Sequence, residues 1–306
     1  MTKWFKILLP AFLISCSLYS QNNIDSLKKL LETTTNTQRH FQANLQLAQI
    51  TLFSSPEKSL DYSEKALSIA QKTQDTANLI EALASKANYY WHEVNYNQLD
   101  LLQDSIFKLA NKTEDIKGLA HYHRLEGLKL IDRDSIDQAI KELTKAKHFY
   151  IKTRDPKNHA NTLLRIGIGY WRKANYDSTI LYYNKAEKLY EDINYTPGKA
   201  KILWFKGIVF NRTGKYAKAL EAYYKAEKLF MELGMFNKVA EVLGNIGSLH
   251  TNLGNHERAI EAYKESLKFA KQNGNTKLVG IRTHDIGYTY YLLEKYDKAD
   301  SCFHEA

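Results

Sequence analysis

The sequence is poor in the residues that interrupt or cross-link a chain. Of its 306 residues only four are proline and two are cysteine. So few prolines exclude a loop-rich or extended chain, because proline punctuates such segments. Long uninterrupted helices are expected instead. Cys16 and Cys302 are too few for a disulfide framework, so stability must come from packing. Beyond the first twenty residues no apolar run approaches the ~20 residues that a membrane-spanning helix needs. A glycine-rich phosphate loop, a zinc-type Cys/His spacing and a nucleophile elbow are also missing. Neither catalysis nor a bound metal or cofactor is expected.

What is present begins with charge. The chain carries +9, with 25% charged and 44% hydrophobic residues, as in a soluble globular protein. The lysines are dispersed, as at Lys141, Lys145, Lys185, Lys225 and Lys264. Dispersed lysines mark solvated helix faces rather than a nucleic-acid-binding patch, so no nucleic-acid partner is expected.

Residues 1–20 are of a different kind. Lys3 and Lys6 precede an apolar run from Ile7 to Ile14, followed by the small residues Ser15, Cys16, Ser17 and Ser20. That order is the charged, hydrophobic and cleavage regions of a secretory signal peptide. An exported chain, periplasmic or secreted, is therefore expected. Two cleavage routes are open. Cleavage after Ser20 releases a soluble chain, whereas Leu13-Ile14-Ser15-Cys16 resembles a lipobox that would lipidate Cys16 and anchor the chain to a membrane.

From about residue 36 the chain repeats. Gly127, Gly167, Gly207, Gly247 and Gly287 stand 40 residues apart, with Ala87 one step before and Leu47, a poor fit, before that. Three residues past the small one come Tyr90, Leu130, Tyr170, Phe210, His250 and Tyr290. Further columns hold Ala139, Ala219, Ala259 and Ala299, then Leu143, Tyr183, Tyr223, Tyr263 and Phe303, then Ala146, Ala186 and Ala226. Within one period, 199–212 and 216–233 are each apolar at helical spacing, and Gly214-Lys215 separates them. Each unit thus reads as a helix, a turn and a second helix. The small residues mark where the two backbones come too close for a large side chain.

This pattern resembles the tetratricopeptide repeat family, whose columns match Gly207, Phe210, Gly214, Tyr216, Ala219, Tyr223 and Ala226 one by one. The resemblance covers residues 36–306 in about seven units, the last incomplete. It is strong around Gly167, Gly207, Gly247 and Gly287 and weak at Ala87, where Leu99, Gln103 and Ile106 stand in the second-helix columns. The implied fold is all-α, a right-handed superhelical solenoid of antiparallel helix pairs, after an N-terminal connector at 21–35. The family's usual period is about 34 residues, so longer helices or longer connectors are expected here, as at 194–198. Exported repeats of this longer kind occur in bacterial sensor proteins ahead of a membrane span and an effector. Because Ala306 falls inside a second helix, a longer parent protein is expected, such as a sensor kinase or transcription regulator.

The resemblance further implies a non-catalytic scaffold that holds a protein or peptide in a concave groove lined by the first helices. Its groove positions fall here on His121, Arg124, Asn161, Arg165, Trp171, Arg172, Lys201, Trp204, Asn211, Arg212, Asn245, Asn252 and His284. Trp91 and His92 take the equivalent place in the weak unit. Arginine and asparagine satisfy a ligand's backbone or carboxylate, and tryptophan supplies buried area. The chaperone-tail clamp of some members is incomplete. Asn88 and Arg165 match it, but Ala84, Leu125 and Asn161 depart from it. His121 and His123, two apart on a helix, point to different faces and read as surface residues rather than metal ligands. His250 and His256 replace repeat aromatics and read as packing or turn residues. Cys302 reads as structural.

Overall fold

The computed structural model describes residues 24–52 and 55–306. The expected signal peptide, with Cys16, lies outside the described residues. The chain divides into two compact units, residues 22–194 and 195–306. Every regular element among the described residues is helical, and residues 24–33, read from sequence as a connector, are helical too. None of these helices is long and apolar enough to cross a membrane.

In the unit 22–194 the pairs are α1 (Thr37–Thr51) with α2 (Pro56–Thr73), α3 (Thr76–His92) with α4 (Tyr96–Thr113), α5 (Ile116–Asp132) with α6 (Ile136–Lys152), and α7 (Pro156–Arg172) with α8 (Tyr176–Asp192). In the unit 195–306 they are α9 (Thr196–Arg212) with α10 (Tyr216–Glu232), α11 (Phe236–Asn252) with α12 (His256–Gln272), and α13 (Thr276–Leu292) with α14 (Tyr296–Glu305). Within each unit successive helices pack on one another, so each is a stack of antiparallel pairs. The odd-numbered helices are the first helices of their pairs.

The long period comes from the helices, not the connectors. From α5 through α13 every helix has 17 residues, and each is followed by three connecting ones. The stretch 194–198 is no long connector, because Thr196, Pro197 and Gly198 form the first turn of α9. Proline is tolerated there, where its missing N–H would have no helical partner.

From the end of α2 onward each connector turns on one residue in the left-handed region, and these recur every twenty positions from Gln74 to Glu294. The left-handed residue changes along the chain. In 195–306 it is glycine at Gly214, Gly234, Gly254 and Gly274, which bears that conformation at no steric cost, and Glu294 at the last connector. In 22–194 it is always another residue, including Val94 at φ 57°. Side-chain caps secure many of the helices that follow: Asp75, Asn95, Asp115, Asp155 and Asn175, and Asn275 in the other unit, each accept a backbone N–H of the next first turn, whereas Ser135 does not. Such a cap contributes about 1 kcal/mol.

The repeat columns are the core. A Cβ at Gly127, Gly167, Gly207 or Gly247 would fall within 2.5–2.6 Å of Leu143, Tyr183, Tyr223 or Tyr263 on the paired second helix. Ala219, Ala259 and Ala299 are buried at 0%, 0% and 3% exposure, and Gly287 faces Cys302 and Phe303. The first pair reverses these sizes. Leu47 on α1 and Ser63 on α2 are both fully buried, the large residue now standing in the small column. Ser59 Oγ donates to the Ala48 carbonyl at 2.7 Å, which ties the two helices together.

Candidate binding face of the first helices

The first helices carry a polar and aromatic face on a packed repeat frame. In the unit 22–194 that face is a connected network. Glu81 on α3 meets Lys117 Nζ at 2.6 Å and His121 Nε2 at 3.3 Å, both on α5. Burial pushes the Glu81 carboxyl up, but the neighbouring His121 and Lys117 outweigh it and hold its pKa at about 2. Lys117 also reaches Asp155 at 3.6 Å.

Behind this face stand second-helix tyrosines. The Tyr150 hydroxyl lies 2.9 Å from His121 Nδ1, and the Tyr190 hydroxyl donates to Asn161 Oδ1 at 2.7 Å. These pairs repeat one arrangement forty residues on. His121 is therefore not the surface residue the sequence implies: it is 4% exposed. His123 does turn to another face, where Nδ1 meets Glu142 at 2.6 Å. His250 is buried, as a packing residue should be, and His256 opens α12.

Toward the far end of the same helices lie two arginines. Arg124 Nη2 donates to Asn88 Oδ1 at 2.9 Å, while its buried Nε has no hydrogen-bond partner among the described residues. Arg165 lies with its guanidinium 5.0 Å from the centre of the Trp91 ring, across from α7 to α3. Burial lowers the Arg165 pKa, and the like charge of Arg124 lowers it further. The Trp91 indole N–H donates to Asp132 at 2.7 Å, and the Tyr96 hydroxyl donates to the same carboxylate at 3.2 Å.

Other sequence-predicted residues are placed differently. Arg172 reaches back to the preceding connector, donating to the Ile131 carbonyl at 3.2 Å and pairing with Asp134 at 3.4 Å. Trp171 beside it is 39% exposed. In the unit 195–306, Trp204 is partly buried, its ring stacked on Phe205 and covered by Lys238 Nζ at 5.2 Å. The buried Trp204 Nε1 and Asn237 Oδ1 have no hydrogen-bond partner among the described residues. Asn211 stands beside the Tyr223 hydroxyl. Lys201 and Asn245 are partly buried, Arg212 and Asn252 exposed, and the exposed His284 lies against Phe303 at 5.4 Å.

One regularity joins the two units. Of the buried side-chain polar atoms without a hydrogen-bond partner among the described residues, all but His256 Nδ1 belong to first helices. Sequence reasoning missed Glu81, Lys117 and Asn237. Glu81 and His121 share one repeat column, so the period itself would have brought them together.

Comparisons with known proteins agree with this architecture. The model of the tetratricopeptide repeat family matches residues 198–272 and 238–306, and that of anaphase-promoting complex subunit 5 matches residues 14–90. No curated protein matches the chain in sequence. Among solved structures the chain is similar to a Rap protein complexed with competence and sporulation factor, at 12% identity and TM-score 0.65, over 94% of this chain and 75% of that one. It is similar to the APC/C hetero-tetramer Cut9–Hcn1 at 18% identity and TM-score 0.66, over 92% and 48%. The apo form of the quorum sensor NprR from B. thuringiensis matches at 14% identity and TM-score 0.61, over 86% and 74%. At such identities the likeness is one of fold.

Proposed function

We propose that this chain, a tetratricopeptide repeat protein whose residues 198–306 match the family's repeats, is a non-catalytic scaffold that holds a protein or peptide against its first helices. One observation carries the reading: the first helices of residues 22–194 hold partly exposed polar and aromatic side chains in fixed places, with Asn88 supporting Arg124 and the Trp91 ring supporting Arg165. Side chains already held in place lose less freedom when a ligand binds them. The Rap protein of the same fold is complexed with a factor, and NprR is a quorum sensor; both support a peptide-sized ligand and a role as the input part of a signalling or assembly system. The charged-then-apolar pattern of residues 1–20 supports export, with a lipid anchor if Cys16 is acylated.

The test is photo-crosslinking in the intact host. A benzophenone side chain placed at Asn161 or Asn245, on first helices, captures the partner. The same group at Lys185 or Lys225, on exposed second-helix faces, captures little. Partners captured only from Lys185 and Lys225 would sink the reading.

A further inference from the structure

Two packing columns of the repeat change chemistry together at one place. Three residues past the small one stand Tyr90, Leu130, Tyr170, Phe210 and Tyr290, but His250. Nine past it stand Tyr96, Ile136, Tyr176, Tyr216 and Tyr296, but His256. Both exceptions fall in one helix pair, on either side of the connector between α11 and α12. His250 is 6% exposed and His256 is half-buried. The Nδ1 atom of each is shielded from solvent and has no hydrogen-bond partner among the described residues. A neutral imidazole suits a place that holds an apolar or aromatic side chain in the other repeats. An imidazolium brings a second N–H donor and a charge, which burial without a partner disfavours.

The charged groups around this connector do not offset such a charge. Burial lowers the His250 pKa, and the cation Arg258 on α12 lowers it further. Antiparallel packing brings to the same end Arg212 of α9, Lys215 and Lys218 around the start of α10, Glu257 beside Arg258, and Glu294 and Lys295 after α13. The ion pairs of α11 and α13 lie elsewhere, Lys238 with Glu241 and Arg282 with Asp285. Among the described residues neither histidine forms an ion pair. We propose that His250 and His256 make the α11–α12 pair an acid-sensitive joint, packed while both rings are neutral and loosened when they take up protons. Because α13 packs on α12, loosening releases the last pair from the stack. A histidine whose pKa is lowered on folding stabilises the fold above its unfolded value near 6.5, and that contribution is lost as pH falls below it. The raised carboxyls of the same unit, Glu227 on α10 and Asp285 on α13, act with the opposite sign, since protonation suits them.

Hydrogen exchange of the full chain, read as protection factors near pH 7.5 and near pH 5, tests this without any ligand. Segments within 236–292 lose protection on acidification, by about ten-fold for each unit by which folding depresses the histidines. Segments within 37–113 keep theirs. His250→Tyr with His256→Tyr restores the residues of the neighbouring repeats and abolishes the loss, and each single variant abolishes part of it. His250→Gln with His256→Gln is neutral at both pH values and abolishes it too, which keeps the test open should the two tyrosines fail to pack. Wild-type protection in 236–292 that holds near pH 5 overturns the proposal. A loss that persists in both double variants does so as well, because other groups then carry it. So does a loss shared equally by 37–113, which is acid unfolding of the whole chain and not the opening of one joint.

Discussion

Gly207 on α9 and Tyr223 on α10 are so close that a Cβ on the glycine would lie 2.5 Å from the tyrosine ring. The ring fills the space that the missing side chain leaves, and it is itself 1% exposed. Gly207→Ala therefore forces a backbone or ring displacement and lowers stability by about 1–3 kcal/mol, the usual range for overpacking. Urea unfolding of Gly207→Ala, Tyr223→Leu and the double variant measures it. A double variant less stable than the sum of the singles would contradict the clash, since a smaller partner should accommodate the added methyl.

Val94 predicts a gain. A β-branched residue at φ 57° is a steric outlier, and the left-handed conformation costs an L-residue about 1–2 kcal/mol. Its side chain is 63% exposed, so little packing is lost on removal. Val94→Gly raises the thermal midpoint, whereas Gly254→Ala, at φ 73° with open space around it, lowers it. Calorimetry of both variants checks the sign.

Glu227 predicts stability lost at alkaline pH. Burial, and then the charge of Glu265, push its pKa up from 4.5 to about 7. A carboxyl raised on folding favours the protonated native state. Its contribution is complete below the unfolded value near 4.5 and disappears as pH rises through 7. Glu227→Gln, which stays neutral, should melt higher than the wild type at pH 8 and close to it at pH 5. Equal melting differences at the two pH values would rule this out.

Glu81 predicts the opposite slope. Its carboxyl falls from 4.5 to about 2 in the fold, so its stabilisation is present above 4.5 and is lost as pH drops toward 2. The shift corresponds to on the order of 3 kcal/mol at neutral pH. Glu81→Gln should be less stable than the wild type at pH 6 by a margin that shrinks toward pH 2.5. Chemical denaturation across that range reads the margin directly.

The fold was legible because packing writes itself as columns. Gly207, Tyr223 and Ala226 recur at fixed steps since each fills one gap between helices. The first pair was obscure for the same reason: Leu47 and Ser63 satisfy the gap with the sizes exchanged, so a search for a small residue fails there. The twenty-residue half-period was harder to see, because its left-handed positions in 22–194 are Gln74, Val94, Glu114 and others with no shared chemistry. The caps Asp75, Asn95, Asp115, Asp155 and Asn175 carried that signal, though at a single atom each.

The candidate site was less legible. Groove positions assigned by column gathered Arg124 and Arg165 but also Arg172, whose place at the end of α7 turns it back to Asp134. His121 looked like a surface residue because nothing near it in sequence reveals Tyr150, a full helix away.

The constant twenty-residue step has a consequence for how such a chain can grow. Seventeen helical and three connecting residues recur without drift from α5 through α13. Forty residues are therefore a quantum of length. Duplicating or deleting one quantum changes the reach of the stack and leaves every remaining side chain aimed as before. A gain or loss of twenty would instead exchange first and second helices in everything that follows it. Length is free to vary in this repeat, while the proposed binding face is locked to an even number of helices.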